Sequence, residues 1–153
     1  MSLEDKAREL AQAKASQDSI DWGDRQRRWL SEVCKVYEQV IAWLAPLQNE
    51  GVVKIQTARK TLSEENIGRY DVDILVLDFS GEAVVLEPIG TIIVGARGRI
   101  DIFRRGRPAD PTMLLLSGSL DAPSWQLWPT SRDPARPCPF DEASFKDLLT
   151  SLL

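Results

Sequence analysis

The chain has 153 residues, of which 43% are hydrophobic and 27% charged, with a formal net charge of −4 and no histidine. This length and balance fit one globular domain, residues 1–153, able to bury a core without a disulfide or a metal. The missing histidine excludes Ser-His-Asp and Cys-His nucleophilic sites and imidazole-bound zinc, and the net acidity argues against general nucleic-acid binding.

Residues 3–17 are rich in good helix formers and predict a first helix with a thin apolar face, Leu3, Ala7, Leu10 and Ala11. Such a helix gains its stability from a partner surface. The run Ser19-Ile20-Asp21-Trp22-Gly23 breaks it, and Asp21 is placed to cap a second helix, with Asp24 facing the positive end of its dipole. The second helix, residues 22–49, carries Trp29, Val33, Val36, Val40, Leu44 and Leu47 at helical spacing, beside a second row, Leu30, Cys34, Tyr37 and Ile41. Together they form a broad apolar face that belongs on a sheet or another helix. Pro46 marks a kink or an end near residue 45, and Gly51 marks the exit.

From residue 52 to 129 the signal is β. Val53, Ile55 and Thr57 alternate with polar residues, and a loop is expected over Ser63-Glu64-Glu65-Asn66-Ile67-Gly68. Tyr70 to Phe79 is apolar on both faces in its middle, as a central strand is. Ser80-Gly81 is a tight-turn signal, and Pro88-Ile89-Gly90 a bend or bulge closing the strand that starts at Ala83. Thr91 to Val94 and Arg99 to Phe103 are expected to flank a hairpin turn at Gly95-Ala96-Arg97-Gly98, its glycines supplying positive φ. Met113 to Ser117 and Trp125 to Trp128 complete the series. Residues 130–139 read as a proline-rich arm, and residues 140–153 as a C-terminal helix with Phe145, Leu148, Leu149 and Leu152 on one face. Short strand connections favour hairpins over crossovers. The fold class is therefore α+β: an antiparallel β-meander of about six or seven strands with the N-terminal helices and the C-terminal helix packed on one face.

Three constellations bear on function. Asp71 and Asp73 alternate along one strand, so both carboxylates lie on one face about 7 Å apart along the chain. Such a pair can hold a divalent metal that bridges nucleotide phosphates. The run Asp71-Val72-Asp73-Ile74 resembles the D-h-[DE]-h signature of the nucleotidyltransferase superfamily. That resemblance implies a metal held by Asp71, Asp73 and a third acid, Asp101 or Glu87, with a nucleotide as substrate. The Gly-Ser pair that holds the triphosphate in that family has no counterpart over residues 52–60, and as strand-end charges the two aspartates would simply guard an edge.

The second constellation is Arg97, Arg99, Arg104, Arg105 and Arg107, which against Asp101 and Asp110 make residues 91–120 net +3. Arginine forks pair with carboxylates or phosphates, so this cluster is a candidate anion or RNA site. Residues 51–90 are net −3, and the same arginines could instead pair with them. The third is aromatic: Trp125 and Trp128 fall on opposite faces of one strand and Trp43 lies off the main helical stripe, which makes them candidate partner-binding residues. The basic run Arg25-Gln26-Arg27-Arg28 is followed by Glu32 and Glu38, and Arg27 and Arg28 read as exposed helix residues pairing with Asp24 and Glu32.

The leading expectation is a small intracellular, non-enzymatic protein-binding or accessory module that self-associates, with no cofactor. The alternatives are a metal-dependent nucleotide-binding or nucleotidyltransferase-like enzyme, and an anion- or RNA-binding protein. The absence of a membrane-length apolar run or signal-peptide core, with two isolated cysteines, predicts a cytoplasmic protein with no membrane partner.

Overall fold

A computed structural model of the chain describes residues 2–18, 22–65, 67–91, 96–119, 122–129 and 137–153. Asp21 as a cap, the strand residues 92–94, Gly95 and most of the proline-rich arm fall outside these. The element order is α1 (Leu3–Asp18), α2 (Trp22–Asn49), β1 (Lys54–Glu64), β2 (Gly68–Phe79), β3 (Glu82–Gly90), β4 (Gly98–Arg104), β5 (Thr112–Gly118), β6 (Pro123–Pro129), β7 (Cys138–Pro139) and α3 (Glu142–Leu152). The strands form one seven-stranded sheet in sequence order, every neighbour antiparallel. The α+β meander read from the sequence is the observed architecture.

The core lies between α2, α3 and one face of the sheet. Trp29, Val33, Val36, Val40 and Leu44 on α2, with Phe145 and Leu149 on α3, close over Leu75, Leu77, Val84, Leu86, Ile100, Ile102, Leu114 and Leu127. Burying so many large side chains is the main force holding the domain together, at about 1.5–3 kcal/mol for each. The second row on α2 is narrower than its spacing suggested: Tyr37 is buried and Leu30 half-buried, but Cys34 and Ile41 are exposed. The helix runs to Asn49, the bound read from the sequence, and passes through Pro46 without ending there. Proline removes one donor, whose usual acceptor would be the carbonyl of Ala42, and Ala42 is exposed, so water can satisfy that carbonyl.

Several strand boundaries differ from expectation. β1 and β2 pair without a break from Lys54↔Asp78 to Glu64↔Gly68, which shrinks the expected loop at 63–68 to its middle residues. The seventh strand is Cys138–Pro139, beside β6, and Thr91 has already left β3. The bulge at Pro88–Gly90 is present as a register shift against β4. In the β2–β3 turn Ser80 and Gly81 both have positive φ, 56° and 96°, and Asp78 Oδ1 accepts the Gly81 N–H at 2.8 Å. That is the mirror-image turn whose twist suits a two-residue hairpin.

β2 pairs with β3 only from Leu75↔Leu86 to Phe79↔Glu82, so residues 68–74 continue with β1 as a two-stranded ribbon. Buried polar contacts tie this ribbon down. The Tyr37 hydroxyl donates to the Asp73 carbonyl at 2.6 Å, and burial pushes its ionisation far above the ordinary tyrosine range. At the ribbon's end Glu64 Oε1 accepts the Thr91 N–H at 2.7 Å and the Thr91 hydroxyl at 3.0 Å, while Oε2 accepts the Tyr70 hydroxyl. Gly90 makes room for this carboxylate, because a Cβ there would lie 2.7 Å from Glu64 Oε1.

On the opposite face of the sheet Val76, Val85 and Phe103 form a small apolar row across β2, β3 and β4. The described side chains of α1, residues 3–12, are all exposed.

Candidate functional site

The N-terminal half of α2 crosses the ends of the middle strands, and a cleft of about 600 Å³ opens there. Its helix wall is Asp24, Arg25, Arg28, Ser31, Glu32 and Lys35, with Arg27 at the rim. Positions 25, 28, 32 and 35 repeat at three- and four-residue steps, which puts them on one helical face. The sheet wall is Thr91, at the exit of β3, Arg97, at the entry to β4, Leu116 on β5 and Pro123 on β6. Trp29 forms the floor. It is held against the sheet because Gly98 has no side chain: a Cβ there would lie 2.8 Å from Trp29 Cε3 and closer still to Cζ3. This close approach, not a positive φ, is what requires glycine at 98. Behind the floor Trp125 packs on Trp29 with ring centroids 6.2 Å apart, and its indole N–H points to Glu32 Oε2 at 3.4 Å.

The cleft is cationic on an acidic protein. Arg25, Arg27, Arg28, Lys35 and Arg97 stand against Asp24 and Glu32. Arg28 Nε meets Asp24 Oδ2 at 2.9 Å, Arg27 Nη2 meets Asp24 Oδ1 at 3.7 Å, and Lys35 Nζ meets Glu32 Oε1 at 3.2 Å. The pairing of Arg27 and Arg28 with Asp24 matches the sequence reading, whereas Glu32 takes Lys35 and Trp125. Arg25 Nη2 instead donates to the Thr91 carbonyl at 2.9 Å, and its guanidinium lies 5.3 Å over the Trp22 ring. Arg97 Nη2 donates to the Ser119 carbonyl at 2.9 Å and the Ser117 carbonyl at 3.3 Å, and its Nε is buried with no partner among the described residues.

The arginine cluster of the sequence does not converge. Only Arg97 lines the cleft. Arg99 makes a two-pronged pair with Asp101, Nε–Oδ1 at 2.6 Å and Nη2–Oδ2 at 3.0 Å. Arg104 pairs with Glu82 across two strands, and Arg105 and Arg107 stand exposed in the turn after β4. Glu87, the other candidate third acid, pairs with Lys60 at 2.8 Å.

The three aspartates are not brought together either. Asp71 and Asp73 are exposed on the β1–β2 ribbon, where Asp71 Oδ1 accepts the Thr61 hydroxyl at 2.8 Å. Asp101 sits on β4, two strands away, taken up by Arg99. Among the described residues no three acidic or cysteine side chains are placed to share a metal ion.

Of the tryptophans, Trp43 packs edge-on to Phe140 at 5.1 Å and against Phe145 at 5.9 Å, under α3. Trp125 is half-buried at the back of the cleft, and Trp128, on the other face of β6, is 38% exposed. The split of Trp125 and Trp128 between faces follows from their odd spacing. No helix among the described residues is long and apolar enough to cross a membrane. Compared with protein families, with characterised proteins and with solved structures, the chain gives no match.

Proposed function

We propose that this protein is a non-enzymatic binding module and that the cleft between α2 and the β3–β6 ends receives a segment of a partner protein. The observation that carries the reading is the cleft itself: about 600 Å³, cationic on an acidic chain, with Pro123 exposed in one wall and Leu116 and Trp29 buried behind it. Charges of one sign gathered in a concave site raise the local concentration of an oppositely charged partner. The free cysteines, Cys34 exposed and Cys138 half-buried, support a reducing compartment, so the site of action is cytoplasmic. Self-association belongs to the same reading, through α1, where Leu3 and Leu10 are 81% and 59% exposed two turns apart.

The test is site-specific photocrosslinking in the native cell. A photoreactive residue at Ser31, in the cleft wall, gives a discrete protein adduct, and the same residue at Asp147, exposed on α3, gives none. The captured protein, made recombinantly, then competes for the Ser31 adduct. Equal labelling from both positions overturns the reading. For α1, light scattering of the chain with and without residues 2–18 gives fewer protomers per particle for the truncated form; an unchanged protomer number removes self-association from the reading.

A further inference from the structure

The cleft's cations are not equivalent. Arg27 and Arg28 share Asp24, and Lys35 faces Glu32, so each of these three cations has a carboxylate within ion-pair distance. Arg25 and Arg97 donate only to backbone carbonyls, of Thr91 and of Ser117 and Ser119, and neither has an acidic partner among the described residues. A carbonyl orients a guanidinium without cancelling its charge. One of these arginines rises from the helix wall and the other from the sheet wall. Arg97 also keeps a buried Nε–H without an acceptor. A buried donor left unsatisfied is costly, and an oxyanion that enters with a small shift of this side chain relieves that cost.

The floor decides which oxyanion carrier fits. Trp29 is 2% exposed, so it offers no open ring face, and Trp22, one face of which is taken by the Arg25 guanidinium, does not line the cleft. A nucleobase therefore lacks the stacking platform on which single-stranded nucleic acids depend. Pro123 is exposed and offers apolar contact beside Arg97, with Leu116 buried behind it.

Resting on the cleft reading above, we infer that the occupant is an acidic segment of a partner polypeptide. Its carboxylates pair with Arg25 and Arg97, and an apolar side chain next to them lies over Pro123. Arg25 and Arg97 are the specificity-determining residues. The cleft's net positive charge, five cations against Asp24 and Glu32, supplies the long-range attraction that speeds encounter.

The experiment uses the whole chain and an array of synthetic peptides in which glutamates at varied spacing flank one leucine. The best binder is taken to calorimetry. Its glutamate-to-glutamine twin and a single-stranded RNA oligonucleotide are the comparison ligands. The expected result is binding of the acidic peptide that weakens with added salt, with loss in the glutamine twin. Arg25→Gln and Arg97→Gln each weaken it about tenfold or more. Arg97→Lys weakens it as well, because an ammonium does not reproduce the fork, and Arg105→Gln, outside the cleft, leaves it unchanged. Thermal melts of each variant separate lost binding from lost folding, and Arg25→Gln, on the helix surface, carries the test if Arg97→Gln melts early. Equal weakening by Arg105→Gln, equal binding of the glutamine twin, or RNA binding in place of peptide overturns the inference. If no acidic peptide binds while the Ser31 adduct still forms, the acidic partner is wrong and the cleft remains the partner site. If the adduct is missing too, both fall.

Discussion

Replacing Gly98 with alanine tests whether the contact between α2 and the sheet sets the shape of the cleft. The added methyl would meet the six-membered ring of Trp29, 2.8 Å from Cε3 and 3.3 Å from Cη2, and closer to Cζ3. Trp29 cannot swing aside easily, since it is 2% exposed and backed by Trp125. Either the indole leaves its rotamer or α2 lifts from β4. Overpacking of this kind costs about 1–3 kcal/mol. Because the indole is backed by Trp125 and cannot relax freely, the expected loss lies in the upper part of that range, about 2–3 kcal/mol. In a domain of this size 1 kcal/mol lowers the melting temperature by about 2–4 °C, so the drop is roughly 5–10 °C. Urea unfolding followed by tryptophan fluorescence and by circular dichroism gives both numbers, and the midpoint should move without a change of slope. The double variant Trp29→Phe/Gly98→Ala provides the internal check. Phenylalanine does not reach as far, so the two costs should fall short of additive by about 1 kcal/mol. A Gly98→Ala protein as stable as the parent, or costs that simply add, would refute the claim that this contact seats the helix.

Both tyrosines of the chain, Tyr37 and Tyr70, ionise well above the ordinary tyrosine range because burial disfavours the phenolate, and at Tyr70 the Glu64 carboxylate adds to the effect. The unfolded chain releases these protons near pH 10 and the folded one holds them, so their stabilising effect is complete below about pH 10 and falls as pH rises beyond it. The expected slope is about 1.4 kcal/mol per pH unit for each, and Tyr37→Phe should remove one such share in unfolding curves taken at successive alkaline pH values. Tyrosinate absorbance appearing at the ordinary pH with the fold intact would contradict the burial. Phe145→Ala empties a fully buried site beneath α3 and should cost about 3–5 kcal/mol, with Trp43 fluorescence shifting to the red as its aromatic neighbour is lost. Asp141→Ala removes the acceptor for the Ser144 N–H, one half of the α3 capping box, and should cost about 1 kcal/mol in the same unfolding assay.

The parts of the molecule that were legible in its sequence are those fixed by near neighbours along the chain. The 3.6-residue rhythm of Trp29, Val33, Val36, Val40 and Leu44 returned the buried face of α2. The Ser80-Gly81 pair returned a hairpin and Pro88-Ile89-Gly90 a bulge, because backbone geometry at those residues is local. The cleft was not legible in the same way, although half of it was in view. Arg25, Arg28, Glu32 and Lys35 share a helical face beside Trp29, and that spacing was the available signal. What gives the face meaning is its opposite wall: Thr91 meets Arg25 across 66 positions of sequence. No periodicity reports a contact of that range. The arginine cluster misled for the converse reason. Arg97 precedes β4, Arg99 and Arg104 point to opposite faces of that strand, and a turn carries the rest away, so Arg97, Arg99 and Arg104 ended up serving a cleft, Asp101 and Glu82 in turn. Charge density along the chain is thus a weak guide to charge density in space. The stronger guide here is which arginines the fold leaves oriented by carbonyls and unmatched by acids, and Arg25 and Arg97 meet that condition within the cleft.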